Sequence, residues 1–380
     1  MPKLDAKAVV LNTLFGRWRS PRPLSAGYTI LLPIPMDMPF LLRYALEGLS
    51  SIDRRNCRQV LVVPDGSGAD DGGVLRRIVE TCGDPRVEYA PLGTMLRLVV
   101  RQVRKRLSGG SFANWAHWAT IVEATNRAHA NYLFLHDADA FFIDGDGLER
   151  QFAECHTRKM DALGVEARLD GFFEAAGYTI PGTWEMMFSV SWARTRPPIF
   201  LKGQWRDTPH GRHEFDTTLY PQYLDYPTGR IGVMTSPPRL VHFHGTITTY
   251  RSYRDRPGQP VVDELFRLLL LSILEDLVPD GQGERERILP SPGELAQGLD
   301  SDHPSATVGY HTESAAREYP KFRKQIDDLC ESPTFAGDRA ARIREHLRAF
   351  DEHFAARVPA PGINTPRDSL AIKPRRHGLS

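Results

Sequence analysis

The most constraining feature of this sequence is a short apolar run that ends in two acidic residues. Asn131–Leu135 is of strand length and rich in aliphatic and aromatic side chains, which predicts a buried central strand. His136 and then Asp137-Ala138-Asp139 follow it. Ligands of an open α/β sheet bind beyond the carboxyl ends of its strands, so both carboxylates would lie where a substrate binds.

Asp137 and Asp139 allow two interpretations. Two carboxylates at this spacing suit a hard divalent cation such as Mg²⁺ or Mn²⁺, which would in turn hold substrate phosphates. Aspartate is also a common capping residue of helices and turns. The tripeptide alone leaves both open.

The first ninety residues predict an α/β domain. Strand patterns and helical periodicities alternate here: a strand from Tyr28 to the proline-rich turn Pro33-Ile34-Pro35, a helix over 40–49, a strand over 60–63, a helix over 74–81 and a strand over 86–90. This order is typical of a parallel sheet covered by helices on both faces.

The later chain divides into an irregular part and a helical part. Residues 171–192 and 194–212 are irregular, aromatic and basic, which predicts a lid or binding segment, with Arg194, Arg196, Lys202 and Arg206 either neutralising a diphosphate or lying in a solvated loop. Short strands are predicted over 230–233 and 239–243, and helices over 261–277, 313–330 and 338–356. We therefore expect a leader (1–25), a catalytic domain (26–258), a helical C-terminal extension (259–358) and a disordered tail (359–380).

Composition limits the classes of partner and the compartment. The chain has 380 residues and a net charge of +1, so its overall charge does not indicate binding of nucleic acid, and any basic patch must be local. Basic and apolar residues alternate over 92–107. The four cysteines form no C-x-x-C pair, which indicates neither zinc nor disulfides and fits a reducing compartment. No signal peptide or transmembrane segment is predicted. We expect a cytoplasmic protein, with peripheral membrane contact left open.

Four motifs in a fixed order give the chain a family resemblance. From residue 28 to 250 it resembles the GT-A fold nucleotide-sugar glycosyltransferases, above all those of family 2. The motifs are the strand that ends in Pro33-Ile34-Pro35, the turn Asp65-Gly66-Ser67, the segment from Asn126 through Asp137-Ala138-Asp139, and the late Val241-His242-Phe243-His244-Gly245.

The resemblance implies a GT-A fold, Mn²⁺ or Mg²⁺, and transfer of a sugar from a UDP-, GDP- or dTDP-type donor to a hydroxyl acceptor, with inversion as in family 2. It implies that the segment 33–35 and Asp65 form the floor for base and ribose, although Asp65 could equally form a simple turn, and Pro64 replaces the first Asp of the family's D-D-G-S. Asp139 would bind the metal directly, Asp137 would help to hold ribose or metal-bound water, and His242 would complete the metal site. His244 is the reserve candidate, and a histidine in a strand is more often an ordinary hydrogen-bonded polar group.

An inverting transfer also needs a general base. The segment 213–219 resembles the family's E-D-x-x-L motif, which places Asp216 at the base position and leaves Glu214 as a nearby substitute for the family's Glu, here Phe215. Alternatively, Asp216 caps a helix that starts at Thr217.

Two rival functions remain at this stage. A sugar-phosphate nucleotidyltransferase also uses an α/β sheet, carboxylates and Mg²⁺, but it requires a glycine-rich first loop with a Lys or Arg clamp that residues 33–35 lack. A non-catalytic nucleotide-sugar-binding protein with the same fold would bind the donor without turnover.

Overall fold

The computed structural model describes residues 15–19, 22–65, 73–106, 109–255, 265–278, 289–297 and 312–357. Gly66 and Ser67 of the second motif, and the tail predicted over 359–380, lie outside these residues. The domain boundaries stay predictions.

The strands fall into one large sheet and two small ones. Their bounds are β1 Ser25–Ile34, β2 Cys57–Pro64, β3 Val87–Tyr89, β4 Ala130–Leu135, β5 Ala140–Phe142, β6 Ala162–Gly164, β7 Met186–Ser189, β8 Gln204–Thr208, β9 Gly211–Phe215, β10 Ile231–Val233 and β11 Leu240–His242. Among the described residues, seven strands form the large sheet in the order β10-β6-β7-β4-β1-β2-β3. All neighbours in it pair in parallel except β7, which is antiparallel to both β4 and β6.

Helices cover both faces of this sheet. Their bounds are α1 Pro39–Ser50, α2 Gly73–Thr81, α3 Thr94–Arg104, α4 Gly109–Arg127, α5 Gly147–Thr157, α6 Gly171–Ala175, α7 Val190–Arg194, α8 Leu219–Asp225, α9 Thr246–Asp255, α10 Leu265–Asp276, α11 Pro292–Gln297, α12 Thr312–Glu331 and α13 Asp338–Arg357.

Side chains of β1 alternate between two cores because successive residues of a strand point to opposite faces. Ile30 and Leu32 pack in the core that α1 and the C-terminal helices share, whereas Leu31 packs in the core beneath α3 and α4. The expected fold class is confirmed: a mostly parallel α/β sheet flanked by helices and followed by a helical C-terminal part.

The prediction of an irregular segment over 171–192 was wrong. Met186–Ser189 forms β7, which is buried in the middle of the large sheet between β4 and β6. Part of the second segment is also regular, since β8 and β9 form a hairpin. A run of only four strand residues, with no alternation to mark it, gave no local signal for β7.

The basic residues of the predicted lid contact the body of the domain. Arg194 Nη2 donates to the carbonyl of Thr125 at 2.6 Å, and Arg196 pairs with Asp225. Lys202 Nζ lies 4.3 Å from the centroid of the Trp115 ring, and the Arg206 guanidinium stacks over Tyr220. These contacts oppose the interpretation as a solvated loop.

A small antiparallel sheet of β5 and β11 positions the candidate site. In its register, His242 pairs with Ala140, the residue that follows Asp139. No helix in the described part of the chain is both long and apolar enough to cross a membrane.

Candidate metal site

The two aspartates lie at the carboxyl end of β4, as the sequence predicts. β4 ends at Leu135, and the amide of His136 still donates to the carbonyl of Leu31 on β1 at 3.0 Å. The chain then turns into β5, whose pairing with β11 brings His242 beside both carboxylates. The site therefore combines a central strand end with a strand from much later in the chain.

Asp137, Asp139 and His242 form a compact group of potential metal ligands. His242 Nε2 lies 3.4 Å from Asp139 Oδ1 and 3.5 Å from Asp137 Oδ2. One ligand atom from each residue lies within 4.8 Å of the others, and this is the one group of three or more such residues in the described ranges. Asp139 and His242 are buried, whereas 29% of the Asp137 side chain is exposed. The group can thus be reached from solvent on the Asp137 side.

Burial and the charges within the group together shift all three pKa values. Burial opposes a charge on His242, but the hydrogen bond to Asp139 and the two carboxylate charges outweigh it and raise the pKa of His242 to about 9. Burial raises the pKa of Asp137 to about 7, with His242 acting against this and Asp139 adding to it. Asp139 is also buried, but His242 and Thr246 hold its pKa below the usual range.

The residues present fit a divalent cation. Carboxylate oxygens are the ligands that Mg²⁺ and Mn²⁺ prefer, and imidazole can join them on Mn²⁺. Asp139 is oriented by a hydrogen bond from the buried hydroxyl of Thr246, the first residue of α9. Such an outer partner fixes the direction of a ligand oxygen.

His244 lies beside this group but is not part of it. Its ring centroid is 3.9 Å from that of His242, and it is exposed. Trp184 contacts both rings, at centroid distances of 4.4 Å to His242 and 5.0 Å to His244. Desolvation and the charge of His242 lower the pKa of His244 to about 4. Of the two histidines, His242 is the one that faces the carboxylates.

Glu185 is a site residue that the sequence reasoning missed. It is fully buried, and its Oε1 atom accepts hydrogen bonds from His136 Nδ1 at 2.7 Å and from the amide of Asp137 at 3.1 Å. Its Oε2 atom is buried without a hydrogen-bond partner among the described residues. Its backbone has φ of +47°, a left-handed conformation that is uncommon for a residue with a side chain. The buried Glu185 carboxylate thus stabilises the turn at His136 and Asp137 through these two hydrogen bonds.

The predicted nucleotide floor contains an ion-pair network. Asp65, directly after β2, accepts from Arg251 Nη2 at 2.6 Å. Arg251 also pairs with Asp37 at 3.2 Å, and Arg254 of α9 binds the same Asp37. Helix α9 is therefore fastened to the ends of β1 and β2.

The three residues 33–35 lie where β1 ends. Pro33 pairs with Val63 of β2 and is half-buried, whereas Ile34 and Pro35 are buried, with Ile34 in the core. Of the three, Pro33 is the one with part of its surface open.

Asp216 lies just beyond the β8–β9 hairpin and is half-buried. Its Oδ1 atom accepts from the amide of Thr217 at 2.7 Å, and the Thr217 hydroxyl lies 3.0 Å from Nδ1 of the half-buried His117. The alternative that Asp216 caps a helix starting at Thr217 was wrong, because α8 begins at Leu219. Glu214 lies on β9 and is exposed.

Comparison with known proteins gives structural likenesses only. No family model matches the chain, and no curated protein matches it. Among solved structures, S. aureus TarS 1-349 is 12% identical over 86% of this chain and 89% of its own, with a TM-score of 0.35. The mannosyltransferase PcManGT from Pyrobaculum calidifontis, in complex with GDP-Man and Mn²⁺, is 14% identical over 90% of this chain and 88% of its own, with a TM-score of 0.38.

A third solved structure matches a smaller part of the chain. Glucosyl-3-phosphoglycerate synthase from Mycobacterium tuberculosis, in complex with Mn²⁺, UDP and glucosyl-3-phosphoglycerate, is 12% identical over 62% of this chain and 84% of its own, with a TM-score of 0.35. These values mark a distant likeness. The chain itself resembles the GT-A glycosyltransferases in the order of its sequence motifs and in its mostly parallel sheet flanked by helices.

Proposed function

We propose that this protein is a metal-dependent glycosyltransferase that moves a sugar from a nucleotide-diphosphate donor to a hydroxyl acceptor with inversion. The observation that carries the proposal is the group of Asp137, Asp139 and His242, whose ligand atoms lie within 4.8 Å of one another at the carboxyl edge of the sheet. This is the edge at which α/β sheets bind substrates. The four motifs of the sequence resemblance support the same assignment.

Each side chain has a separate task in this proposal. Asp139, oriented by Thr246, and His242 would hold Mn²⁺ or Mg²⁺ together with Asp137. When bound, the cation would supply positive charge beside the diphosphate, which gains negative charge as it leaves. Asp65 and residues 33–35 would form the floor for base and ribose, with Arg251 beneath them.

The transfer itself forms one bond and breaks one. The acceptor oxygen bonds to the anomeric carbon of the sugar, the bond from that carbon to the diphosphate oxygen breaks, and the nucleoside diphosphate leaves. The acceptor proton passes to a base, for which Asp216 is the candidate and Glu214 the substitute. His117 would assist by holding the Thr217 hydroxyl beside Asp216.

The compartment is part of the same proposal. All four cysteines are free, and three of them are buried, which supports the reducing cytoplasm that the sequence predicts.

A thermal-shift panel of UDP-, GDP- and dTDP-sugars with and without Mn²⁺ tests the donor and the cation together. The assay is followed by measurement of nucleoside diphosphate release from each stabilising donor. We expect one donor type to stabilise the protein only with the cation, and Asp139→Asn to abolish both this cation-dependent stabilisation and turnover. Asp146→Asn is the matched control, because Asp146 directly precedes α5, is exposed, and among the described residues its side chain pairs only with Arg150 of that helix.

The rival functions give different results in the same assays. Release of pyrophosphate from a nucleoside triphosphate and a sugar phosphate would identify a nucleotidyltransferase. Donor binding without release of nucleoside diphosphate would identify a binding protein. Donor binding that ignores both Mn²⁺ and Asp139→Asn would contradict the proposed site.

A further inference from the structure

Helix α3 carries a dense cluster of positive charge on a chain that is almost neutral. Arg97, Arg101, Arg104, Lys105 and Arg106 lie on the helix or directly after it, and all five are exposed. No acidic residue occurs between Pro91 and Val122. None of the five cations forms an ion pair with an acidic side chain of the described ranges, so the charge of this surface is uncompensated locally.

The same helix exposes two large apolar side chains. Met95 is 43% exposed and Leu98 is 48% exposed, and they lie three residues apart, so they are neighbours on one face of the helix. Leu98 is in turn one helical turn from Arg101 and Gln102. The exposed face thus combines apolar side chains with flanking cations.

The opposite face of α3 fixes the helix to the domain. Leu96 and Val100 are buried in the core beneath α3 and α4, together with Trp118 and Ile121 of α4. The helix therefore lies along the surface of the protein, with its basic and apolar side turned outward.

We propose that the outer face of α3, formed by Met95, Arg97, Leu98, Arg101 and Lys105, binds the surface of a membrane that contains anionic lipids. A basic helix that lies in the plane of a surface and exposes apolar side chains is the type of element that binds at the interface of charged bilayers. The cations would contact the phosphate and carboxylate groups of the lipids, while Met95 and Leu98 enter the boundary between head groups and acyl chains. This proposal does not depend on the proposed transferase activity.

The two apolar residues favour a membrane over a nucleic acid. A single-stranded nucleic acid is bound through cations and aromatic side chains that stack on its bases, and the outer face of α3 has no aromatic residue. Exposed Met and Leu gain nothing from a phosphate backbone, whereas they lose contact with water when they enter a lipid surface.

The position of α3 relative to the sheet agrees with a role near the candidate site. β3 ends at Tyr89 and α3 begins at Thr94, so the helix starts at the edge where the parallel strands β1 and β2 also end. This edge carries Asp65 and the candidate metal site.

Flotation of the full chain with vesicles tests the proposal. Vesicles of pure phosphatidylcholine are compared with vesicles that contain about 30% phosphatidylserine, since each basic residue near such a surface contributes roughly a fivefold factor in binding. We expect at least tenfold tighter binding to the anionic vesicles. Arg97→Gln/Arg101→Gln should weaken binding to the anionic vesicles at least tenfold. Leu98→Gln should weaken the binding that remains at high salt concentration.

A matched control distinguishes binding through the outer face of α3 from a general effect of the protein's positive charges. Arg344→Gln/Arg348→Gln removes two exposed cations from α13 and should leave vesicle binding within about twofold, because this helix also carries exposed acidic residues such as Glu345 and Glu352. Circular dichroism and the Tm confirm that each variant is folded. Equal binding to both vesicle types, unchanged binding of the α3 variants, or tighter binding to a single-stranded RNA than to anionic vesicles would overturn the proposal.

Discussion

His242 Nε2 lies 3.4 Å from Asp139 Oδ1 because β11 pairs with β5 and sets His242 opposite the residue that follows Asp139. The pairing of these two short strands, which lie outside the large sheet, therefore places the His242 imidazole beside the carboxylates of Asp137 and Asp139. The pairing also selects His242 over His244, which lies two residues further on and is exposed.

Substitution of the two histidines should affect metal binding unequally. We expect His242→Ala to weaken Mn²⁺ binding at least tenfold, because it removes one of three candidate ligands. His244→Ala is the matched control and should change the affinity by less than about threefold, since this ring lies outside the group. Isothermal titration calorimetry with Mn²⁺ measures both, and equal effects would contradict the assignment of His242.

Metal affinity should rise with pH. In the metal-free protein the pKa of His242 is raised to about 9 and that of Asp137 to about 7, whereas a cation requires the neutral imidazole and the ionised carboxylate. Protons therefore compete with the metal, and its affinity should increase by up to about tenfold per pH unit between about pH 7 and 9, where His242 alone is protonated, and more steeply below about pH 7, where both groups are protonated. His242→Gln should flatten the profile above about pH 7. A pH-independent affinity would show that neither group binds the cation.

The same shifts predict how the metal-free protein loses stability. A raised pKa in the folded state stabilises below the ordinary pKa of the group, and this contribution disappears as the pH rises through the raised value. The metal-free protein should therefore lose stability through Asp137 between about pH 4 and 7, and through His242 between about pH 6.5 and 9. Saturating Mn²⁺ should remove this trend, and denaturant titrations at several pH values measure it.

Glu185 should act on the site by positioning its neighbours. Glu185→Ala leaves His136 Nδ1 and the Asp137 amide without their partner, which should cost about 2–4 kcal/mol of stability and weaken Mn²⁺ binding several-fold. Glu185→Gln keeps the shape and should restore part of both.

Glu149→Ala provides the comparison for Glu185. Glu149 is another buried glutamate with hydrogen bonds from Tyr28 and Asn56, so its loss should also destabilise the fold. It should leave the Mn²⁺ affinity of the folded protein unchanged. If both variants lost metal affinity, Glu185 would contribute to the stability of the fold and not specifically to positioning the metal site.

Loss of Arg251 should destabilise the fold strongly. Arg251→Ala leaves the buried Asp37 with Arg254 alone and removes the Arg251 contact from Asp65, and breaking a buried ion pair from one side typically costs about 3–5 kcal/mol. Arg158→Ala, which removes a partly exposed pair with Glu154 of α5, should cost much less. Urea denaturation compares the two, and similar losses would contradict a structural role for the Arg251 network.

Asp216→Asn should separate catalysis from binding. If Asp216 is the base, kcat should fall about 10²- to 10⁴-fold while donor affinity stays within about twofold. Glu214→Gln is the natural control because Glu214 is its exposed neighbour. A larger loss in the Glu214 variant would reverse the two assignments.

The local hydrophobic pattern of the sequence was enough to predict those strands and helices that each carry their own periodicity. The apolar run before Asp137 became β4, and the alternation of strands and helices over the first ninety residues gave the parallel sheet, since each element carries its own periodicity. The late histidine motif drew attention to His242 through the family resemblance, and the β5–β11 pairing brings it to the aspartates.

Long-range contacts account for what the sequence reasoning missed. Met186–Ser189 is a strand because β4 and β6 pair with it from both sides, and four residues carry no periodicity of their own. The hydrogen bonds of Glu185 to His136 and Asp137 depend on that strand pairing and on a left-handed backbone conformation. Neither feature can be predicted from the neighbouring residues Trp184 and Met186. The ion pair of Asp65 with Arg251 joins residues from opposite ends of the domain, which only the folded chain brings together.

The order of the parts along the chain has a consequence for biogenesis. β10, the last strand of the large sheet, ends at Val233, whereas His242 and Thr246 are translated afterwards. A nascent polypeptide can therefore complete the sheet while Asp137 and Asp139 still lack both their imidazole neighbour and the hydroxyl that orients Asp139. In the proposed function, binding of a cation at these residues would therefore follow formation of the large sheet rather than direct it.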